Sequence, residues 1–199
     1  MFKSTKVIEL GSCAFRQPQA TSHCKFLHGY RLIAKFWFEA DTLDENNWVV
    51  DFGGLKGLKK TLENQFDHTT CIARTDPKLE QFKKLRDEGV CDLRIMDGVG
   101  IEKFAEYCHK VANEFVHEFT NGRCSCVKVE VFEHEKNSAI YENYTVTVPK
   151  LTETQQEQLI QEVKQVNEQS IVTDQAVPIT QNKQKNKWVD EKSSNVWGL

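Results

Sequence analysis

Alternation of apolar and polar residues along the chain predicts several β-strands. In the segment after Cys124, for example, Val127, Val129 and Val131 alternate with Lys128 and Glu130, as expected of a strand with one buried face. The pattern predicts long strands at residues 6–15, 30–40, 124–133 and 138–148, with shorter ones at 48–50 and 91–96. A turn at Asn137 would join the last two long strands into a hairpin.

Apolar residues spaced three and four positions apart predict three helices. The first begins near residue 53, with Asp51 as its cap, and its apolar face carries Leu55, Leu58, Leu62 and Phe66. The second runs from about 76 to 88, and the third from 100 to 119. Hairpin, helices and hairpin in this order predict the α+β class, with an antiparallel sheet and helices packed on one face.

A change in composition after Pro149 divides the chain. Residues 1–149 form the predicted domain, and residues 150–199 form a tail rich in Gln, Glu, Lys and Asn. The tail is expected to hold one short amphipathic helix at 152–169 and to be partly disordered or docked. Trp188 and Trp197 favour docking, because tryptophan is unusual in a polar segment.

Bulk properties restrict the partners and the compartment. The chain has 199 residues and a net charge of −3, so no nucleic-acid partner is expected. We expect no membrane partner, because no apolar run approaches the roughly 18 residues that a span requires. The seven cysteines show no paired framework, which favours the cytoplasm.

Chemically capable residues lie on three separate predicted elements. Cys24 and His28 share a turn before the second long strand, Asp67 and His68 follow the first helix, and Glu133 ends a strand. A thiol, an Asp–His pair and a carboxylate are together suited to moving protons on carbon. A thiol acts as a base only as thiolate, which requires a metal or a cationic neighbour.

These segments resemble the family of 6-pyruvoyl-tetrahydropterin synthases and 6-carboxytetrahydropterin synthases. The resemblance covers roughly residues 5–145 and rests on five motifs in the same order. They are Cys-x3-His-Gly at 24–29, Trp-Val-Val-Asp-Phe at 48–52, Phe-Asp-His at 66–68, the helix with Glu102, and Val-x-Val at 127–129 leading to Glu133.

The resemblance implies a fold, an assembly and an activity. The fold would be the tunnelling fold, in which subunits close a barrel by forming a trimer-based homo-oligomer, most simply a hexamer. The activity would be that of a lyase acting on a pterin triphosphate, 7,8-dihydroneopterin triphosphate. The compact Cys-x3-His turn favours 6-carboxytetrahydropterin synthase of queuosine and 7-deazapurine biosynthesis, and a 6-pyruvoyl-tetrahydropterin synthase-type lyase is the alternative.

The resemblance also implies a role for each matching residue. Cys24 and His68 would transfer protons, with Asp67 orienting and charging the imidazole. Glu133 would bind the pterin by accepting its two parallel N–H donors. Glu102, in the third helix, would also bind the substrate, although the threonine that precedes it in the family is absent here.

The implied zinc site departs from the family, which uses one His on the first strand and a His-x-His pair. His28 matches the first residue of the pair, whereas Tyr30 and Phe15 occupy the other two positions. His23 and Cys13 are the nearest substitutes, so the predicted ligands are His28, His23 and Cys13. Tyr30 could replace Cys13, or the segment 20–23 could be a shifted first-His motif. A site without metal, or a non-catalytic scaffold protein that has lost zinc, is the competing hypothesis.

Overall fold

The fold is built around one six-stranded sheet. The structure is a computed structural model and describes residues 1–143. The strands, in spatial order β4-β3-β1-β2-β5-β6, are β1 (Phe2–Phe15), β2 (His28–Ala40), β3 (Thr69–Ala73), β4 (Leu93–Met96), β5 (Cys124–His134) and β6 (Asn137–Glu142).

The sheet is mixed rather than wholly antiparallel. β1, β2, β5 and β6 pair antiparallel as predicted, whereas β3 joins β1 and β4 joins β3 in parallel. Each added strand follows a helix, and a helical crossover returns the chain to the same end of the sheet, which makes parallel pairing possible. Sequence reasoning missed β3, because all five of its residues are buried and it therefore shows no alternation.

Two helices cover one face of the sheet, as predicted. α1 (Lys56–Phe66) buries Leu58, Leu62 and Phe66, and α3 (Ile101–Phe119) buries Phe104 and Cys108 among its core residues. These side chains share one hydrophobic cluster with the inward residues of the four antiparallel strands. Three- and four-residue spacing therefore identified the buried helix faces correctly.

α2 (Leu79–Asp87) belongs to a second, smaller cluster. Its Phe82 packs with Ile72 of β3 and Leu93 of β4. Ile72 and its neighbour Cys71 point to opposite faces of the strand, and Cys71 belongs to the main core. α2 therefore covers the other face of β3 and β4, which explains why all of β3 is buried.

Residues 48–50 were predicted as a strand, and this prediction is wrong. The Asp44 carboxylate accepts hydrogen bonds from the backbone N–H groups of Asn46 and Trp48 at 2.9 and 2.8 Å, so the segment curls into turns. Asp51 likewise accepts from Gly53 N–H at 2.7 Å and stabilises a turn ahead of α1. The helix itself begins at Lys56 without a side-chain cap.

The predicted tail at 150–199 lies outside the described residues, as does the end of the last predicted strand. Its boundary, helix and docking therefore remain predictions. Within residues 1–143, no helix combines the length and the apolar character needed to cross a membrane.

Candidate active site

One cavity brings together the two glutamates predicted to bind a pterin. It has a volume of about 450 Å³ and lies where the end of β1, the start of α3 and the β5–β6 turn meet. Its lining residues are Phe15, Gln17, Gly100, Ile101, Glu102, Glu133, Lys136, Asn137 and Ser138. We call it the carboxylate cavity.

Local structure places the two carboxylates. Glu102 lies in the first turn of α3, two residues after Gly100, where the helix dipole favours a negative charge. Glu133 lies near the end of β5, and Asn137 Nδ2 donates to its Oε2 at 3.4 Å. Sequence reasoning did not single out Gln17 or Lys136 as lining residues. The signal for Lys136 was its position next to Asn137 in the predicted hairpin turn.

Cys24 lies in a short 3-10 turn, His23–Lys25, between β1 and β2. Ser22 Oγ accepts the Cys24 backbone N–H at 3.4 Å, and Gln17 N–H donates to the Cys24 carbonyl at 2.8 Å. Because Gln17 also lines the carboxylate cavity, this bond ties the cysteine turn to the cavity wall. The Cys24 side chain is half-buried, so a small molecule can reach it.

Tyr30 lies in the neighbourhood of both Cys24 and Glu133. Burial raises the pKa of the Tyr30 phenol, and the negative charges of Glu133 and Cys24 raise it further. The phenol therefore stays protonated at neutral pH and can donate a hydrogen bond. Sequence reasoning treated Tyr30 only as an alternative metal ligand. The signal for a donor was its place two residues after His28, which puts both on the same face of β2.

Phe15, His28 and Tyr30 form an aromatic cluster next to the cavity. The Phe15 ring lies 4.7 Å from the His28 ring and 6.1 Å from the Tyr30 ring, between centroids. Phe104 packs on Phe15 at 5.1 Å, and Phe15 is only 1% exposed. His28 Nδ1–H donates to the Phe26 carbonyl at 2.7 Å, so Nε2 carries the lone pair.

The predicted zinc ligands do not come together. Cys13 is 1% exposed, and its Sγ lies 3.9 Å from Thr69 Oγ1 in the core. Cys13 and Phe15 lie on the same face of β1, and both belong to the hydrophobic core. His23, in contrast, is exposed on the turn. Within residues 1–143 no group of three His, Cys, Asp or Glu side chains could hold a metal ion. The residues present thus do not fit zinc, which needs at least three protein ligands.

Asp67 and His68 form the pair that the sequence predicts. His68 Nδ1 lies 2.9 Å from Asp67 Oδ1, and the same oxygen accepts the Ser12 N–H at 3.1 Å. The Ser12 N–H and then His68 hold the Asp67 pKa below its ordinary value despite an opposing desolvation effect. Asp67 is therefore ionised at neutral pH and fixes the ring with Nδ1 as the donor.

His68 lies apart from the carboxylate cavity within one chain. Its side chain is 86% exposed, and it lines a second cavity of about 450 Å³ together with Ser12, Gly29, Tyr30, Arg31 and residues of β3. We call this the histidine cavity. The two cavities share no lining residue.

The fold and this set of residues define a pterin synthase-like protein, and sequence comparison establishes the family. The sequence model of the family described as 6-pyruvoyl tetrahydropterin synthase matches residues 7–144. This match covers more than half of the chain, so the chain belongs to that family. The family assignment made from the five motifs is thereby confirmed.

Two curated relatives carry the name 6-carboxy-5,6,7,8-tetrahydropterin synthase. The protein from Rickettsia conorii is 33% identical over 82 residues, which are 41% of this chain and 59% of the relative. The protein from Aquifex aeolicus is 28% identical over 74 residues, or 37% and 46% of the two chains. The chain thus spans less than two thirds of the length of the curated relatives it matches.

Two solved structures share the fold. An uncharacterized protein from Wolinella succinogenes superposes with a TM-score of 0.62 at 15% identity, over 71% of this chain and 98% of that one. A catalytic-residue mutant of Plasmodium vivax 6-pyruvoyltetrahydropterin synthase gives 0.53 at 16%, over 72% and 99%. The tunnelling fold of the subunit is confirmed.

Proposed function

We propose that the protein is a lyase, 6-carboxy-5,6,7,8-tetrahydropterin synthase, acting on 7,8-dihydroneopterin triphosphate in queuosine or 7-deazapurine biosynthesis. The observation that carries the proposal is the carboxylate cavity, where Glu102 and Glu133 lie beside the turn that holds Cys24. The relatives named for this activity add support. The 6-pyruvoyl-forming reaction of the same family is the nearest alternative.

Glu133 is the proposed pterin-binding residue. A pterin presents an amino group beside a ring N–H, and an ionised carboxylate accepts both in a bidentate pair. Asn137 holds one Glu133 oxygen at 3.4 Å, which orients the carboxylate. Glu102 supplies a second acceptor in the same cavity.

Cys24 and His68 are the proposed proton-transfer residues. Asp67 keeps the His68 imidazole oriented, and Cys24 adjoins the cavity. Because the two cavities are distinct in one chain, we infer that His68 serves the carboxylate cavity of a neighbouring subunit. This requires a homo-oligomer, for which we propose a trimer-based assembly. Light scattering tests it directly, and a stable monomer would contradict the shared site.

The triphosphate group needs a cation, and Lys136 is the one we propose. Lys136 lines the carboxylate cavity. Arg16 directly follows β1, and its Nε lies 3.1 Å from Oδ2 of the buried Asp76 carboxylate. Arg31 pairs with Glu9 at 2.7 Å, so both arginines already have carboxylate partners.

We place the protein in the cytoplasm, because its seven cysteines are free thiols and such thiols persist in a reducing compartment.

A second candidate function is a non-catalytic scaffold. The aromatic residues at 15 and 30, where the family has zinc-binding histidines, favour it. Metal-independent binding of a macromolecule through the tail at 150–199, with no turnover, would support the scaffold.

The decisive experiment follows the products of 7,8-dihydroneopterin triphosphate by mass spectrometry, with zinc and, separately, with a chelator. We expect the 6-carboxy product and release of triphosphate. A Glu133→Gln variant controls for contaminating activity. Absence of both the carboxy and the pyruvoyl product under all conditions would refute the lyase.

A further inference from the structure

We propose that Phe15, His28 and Tyr30 form a metal-free centre, in which the Tyr30 hydroxyl donates a hydrogen bond to a side-chain oxygen of the substrate. The proposal rests on the proposed function for the identity of the substrate. It concerns how the site binds that oxygen, and its first test does not depend on turnover.

The three rings have the spacing of a metal site but lack its ligand atoms. Their centroids are 4.7, 5.6 and 6.1 Å apart. Two imidazoles on one tetrahedral zinc would have centroids about 5 Å apart, given Zn–N distances of about 2.0–2.1 Å. Of these rings only that of His28 offers a nitrogen, and Phe15 offers no ligand atom at all.

The Phe15 ring also fills the space that a metal would need. It is 1% exposed and is held from behind by the Phe104 ring at 5.1 Å. The Phe15 ring is thus in contact with both the His28 ring and the Phe104 ring. A close-packed core resists its displacement. One imidazole against a fixed hydrocarbon ring does not retain zinc.

Tyr30 is the group in this cluster that can take over the binding of a substrate oxygen. Its ring lies 5.6 Å from that of His28 and 6.2 Å from that of His134 near the end of β5. A neutral phenol donates one O–H hydrogen bond, and such a bond needs no metal. His134 adjoins Glu133 at the end of β5, so the Tyr30 ring lies close to the residue that binds the pterin ring in the proposed function.

The first test measures metal content after dialysis against zinc and then against buffer. We expect the full chain to retain no stoichiometric zinc, whereas Phe15→His with Tyr30→His should retain about one zinc per chain by completing three imidazoles. Adding His28→Ala to that double variant should abolish the binding. Far-ultraviolet circular dichroism checks that each variant folds.

A parent chain that keeps one zinc, and loses it on His28→Ala substitution, overturns the proposal whatever the activity.

The second test is Tyr30→Phe, assayed with chelator present. We expect kcat to fall about tenfold, as for the loss of one hydrogen bond, with the melting temperature nearly unchanged. Unchanged kcat would overturn the role of Tyr30, whereas a parent chain with neither zinc nor turnover would refute only the proposed function.

Discussion

The carboxylate cavity and the histidine cavity differ in how completely one chain builds them. In the first, Glu102, Glu133 and the Cys24 turn converge, and hydrogen bonds hold Glu133 and the Cys24 turn in place. In the second, Asp67 orients His68, yet the imidazole is 86% exposed, and neither Glu102, Glu133 nor Cys24 lines the cavity around it. In the proposed function, the first region binds the substrate and the second presents a proton-transfer group to a neighbouring subunit.

This difference teaches that a site can be recognised in a sequence and still be incomplete in a subunit. The Asp67–His68 pair would have little reason for its fixed geometry if His68 acted alone on the surface. A second subunit that brings its carboxylate cavity to His68 would complete the constellation. Four substitutions test the two regions, beginning with the largest expected effect.

Cys24→Ala should cause the largest loss. Removing a proton-transfer group lowers the rate by about 10²–10⁴-fold, so we expect kcat to fall in that range with substrate binding retained. Lys25→Ala, in the same turn, is the matched control. Product formation by mass spectrometry measures both.

Mixing extends this test to the comparison of the two cavities. Inactive Cys24→Ala and inactive His68→Ala chains, unfolded and refolded together, should regain activity if each site takes residues from two subunits. Mixtures without activity, although mixed oligomers form, would show that each chain uses its own His68.

Glu133→Gln should weaken substrate recognition. An amide cannot accept two N–H donors as a carboxylate does, and a hydrogen bond to a charged group contributes about 1.5–3 kcal/mol. We expect kcat/KM to fall by about 10- to 150-fold. Glu135→Gln, an exposed neighbour in the β5–β6 turn, removes the same charge and should have little effect. Equal losses in the two variants would indicate a general electrostatic effect.

The sequence predicted the fold well where one face of an element is buried and the other exposed. α1, α3 and the four antiparallel strands all show such a pattern, and their positions were predicted to within a few residues. β3 has both faces buried, so its residues carry no alternation to detect. The false strand at 48–50 has strand-like residues, but the Asp44 carboxylate, four to six residues earlier, bends the chain through backbone hydrogen bonds.

The contact between Asp67 and His68 follows from their adjacency in the chain, whereas the role predicted for the pair came from resemblance. The grouping of Glu102 with Glu133 came from resemblance, since no local pattern relates residues 31 positions apart. Cys13 shows the limit of same-face reasoning. It does share a β1 face with Phe15, but that face is the covered one, and only the packing of Thr69 and Cys71 reveals this.

Gly11→Ala should lower the stability of the fold and displace Asp67 beside the histidine cavity. Gly11 lies at a β-bulge in β1 with φ of +98°, and an added Cβ would come within 2.1 Å of Asp67 Oδ1. Backbone strain alone costs about 1–2 kcal/mol, and displacement of Asp67 adds to it. We expect a lower melting temperature together with lower kcat, measured by calorimetry and turnover.

Gly89→Ala is the control that separates strain from collision. Gly89 has φ of +75° at the end of α2, and an added Cβ there meets nothing within 4 Å. It should therefore show the strain without the loss of activity. If both variants melt at the same temperature with equal activity, the close approach of Gly11 to Asp67 has no functional consequence.

Asp67→Asn should have the smallest effect on stability, and that effect should depend on pH. The Ser12 N–H holds the folded-state pKa of Asp67 below its ordinary value, which is about 3.9 in an unfolded chain. A lowered folded-state pKa stabilises the fold above the unfolded value, and this stabilisation is lost as the pH falls through the folded value. Denaturant unfolding should therefore show the parent chain slightly more stable than Asp67→Asn at pH 7, with the difference disappearing in acid. A difference that persists at the acid end, where both side chains are neutral, would mean that the charge of the Asp67 carboxylate is not its source.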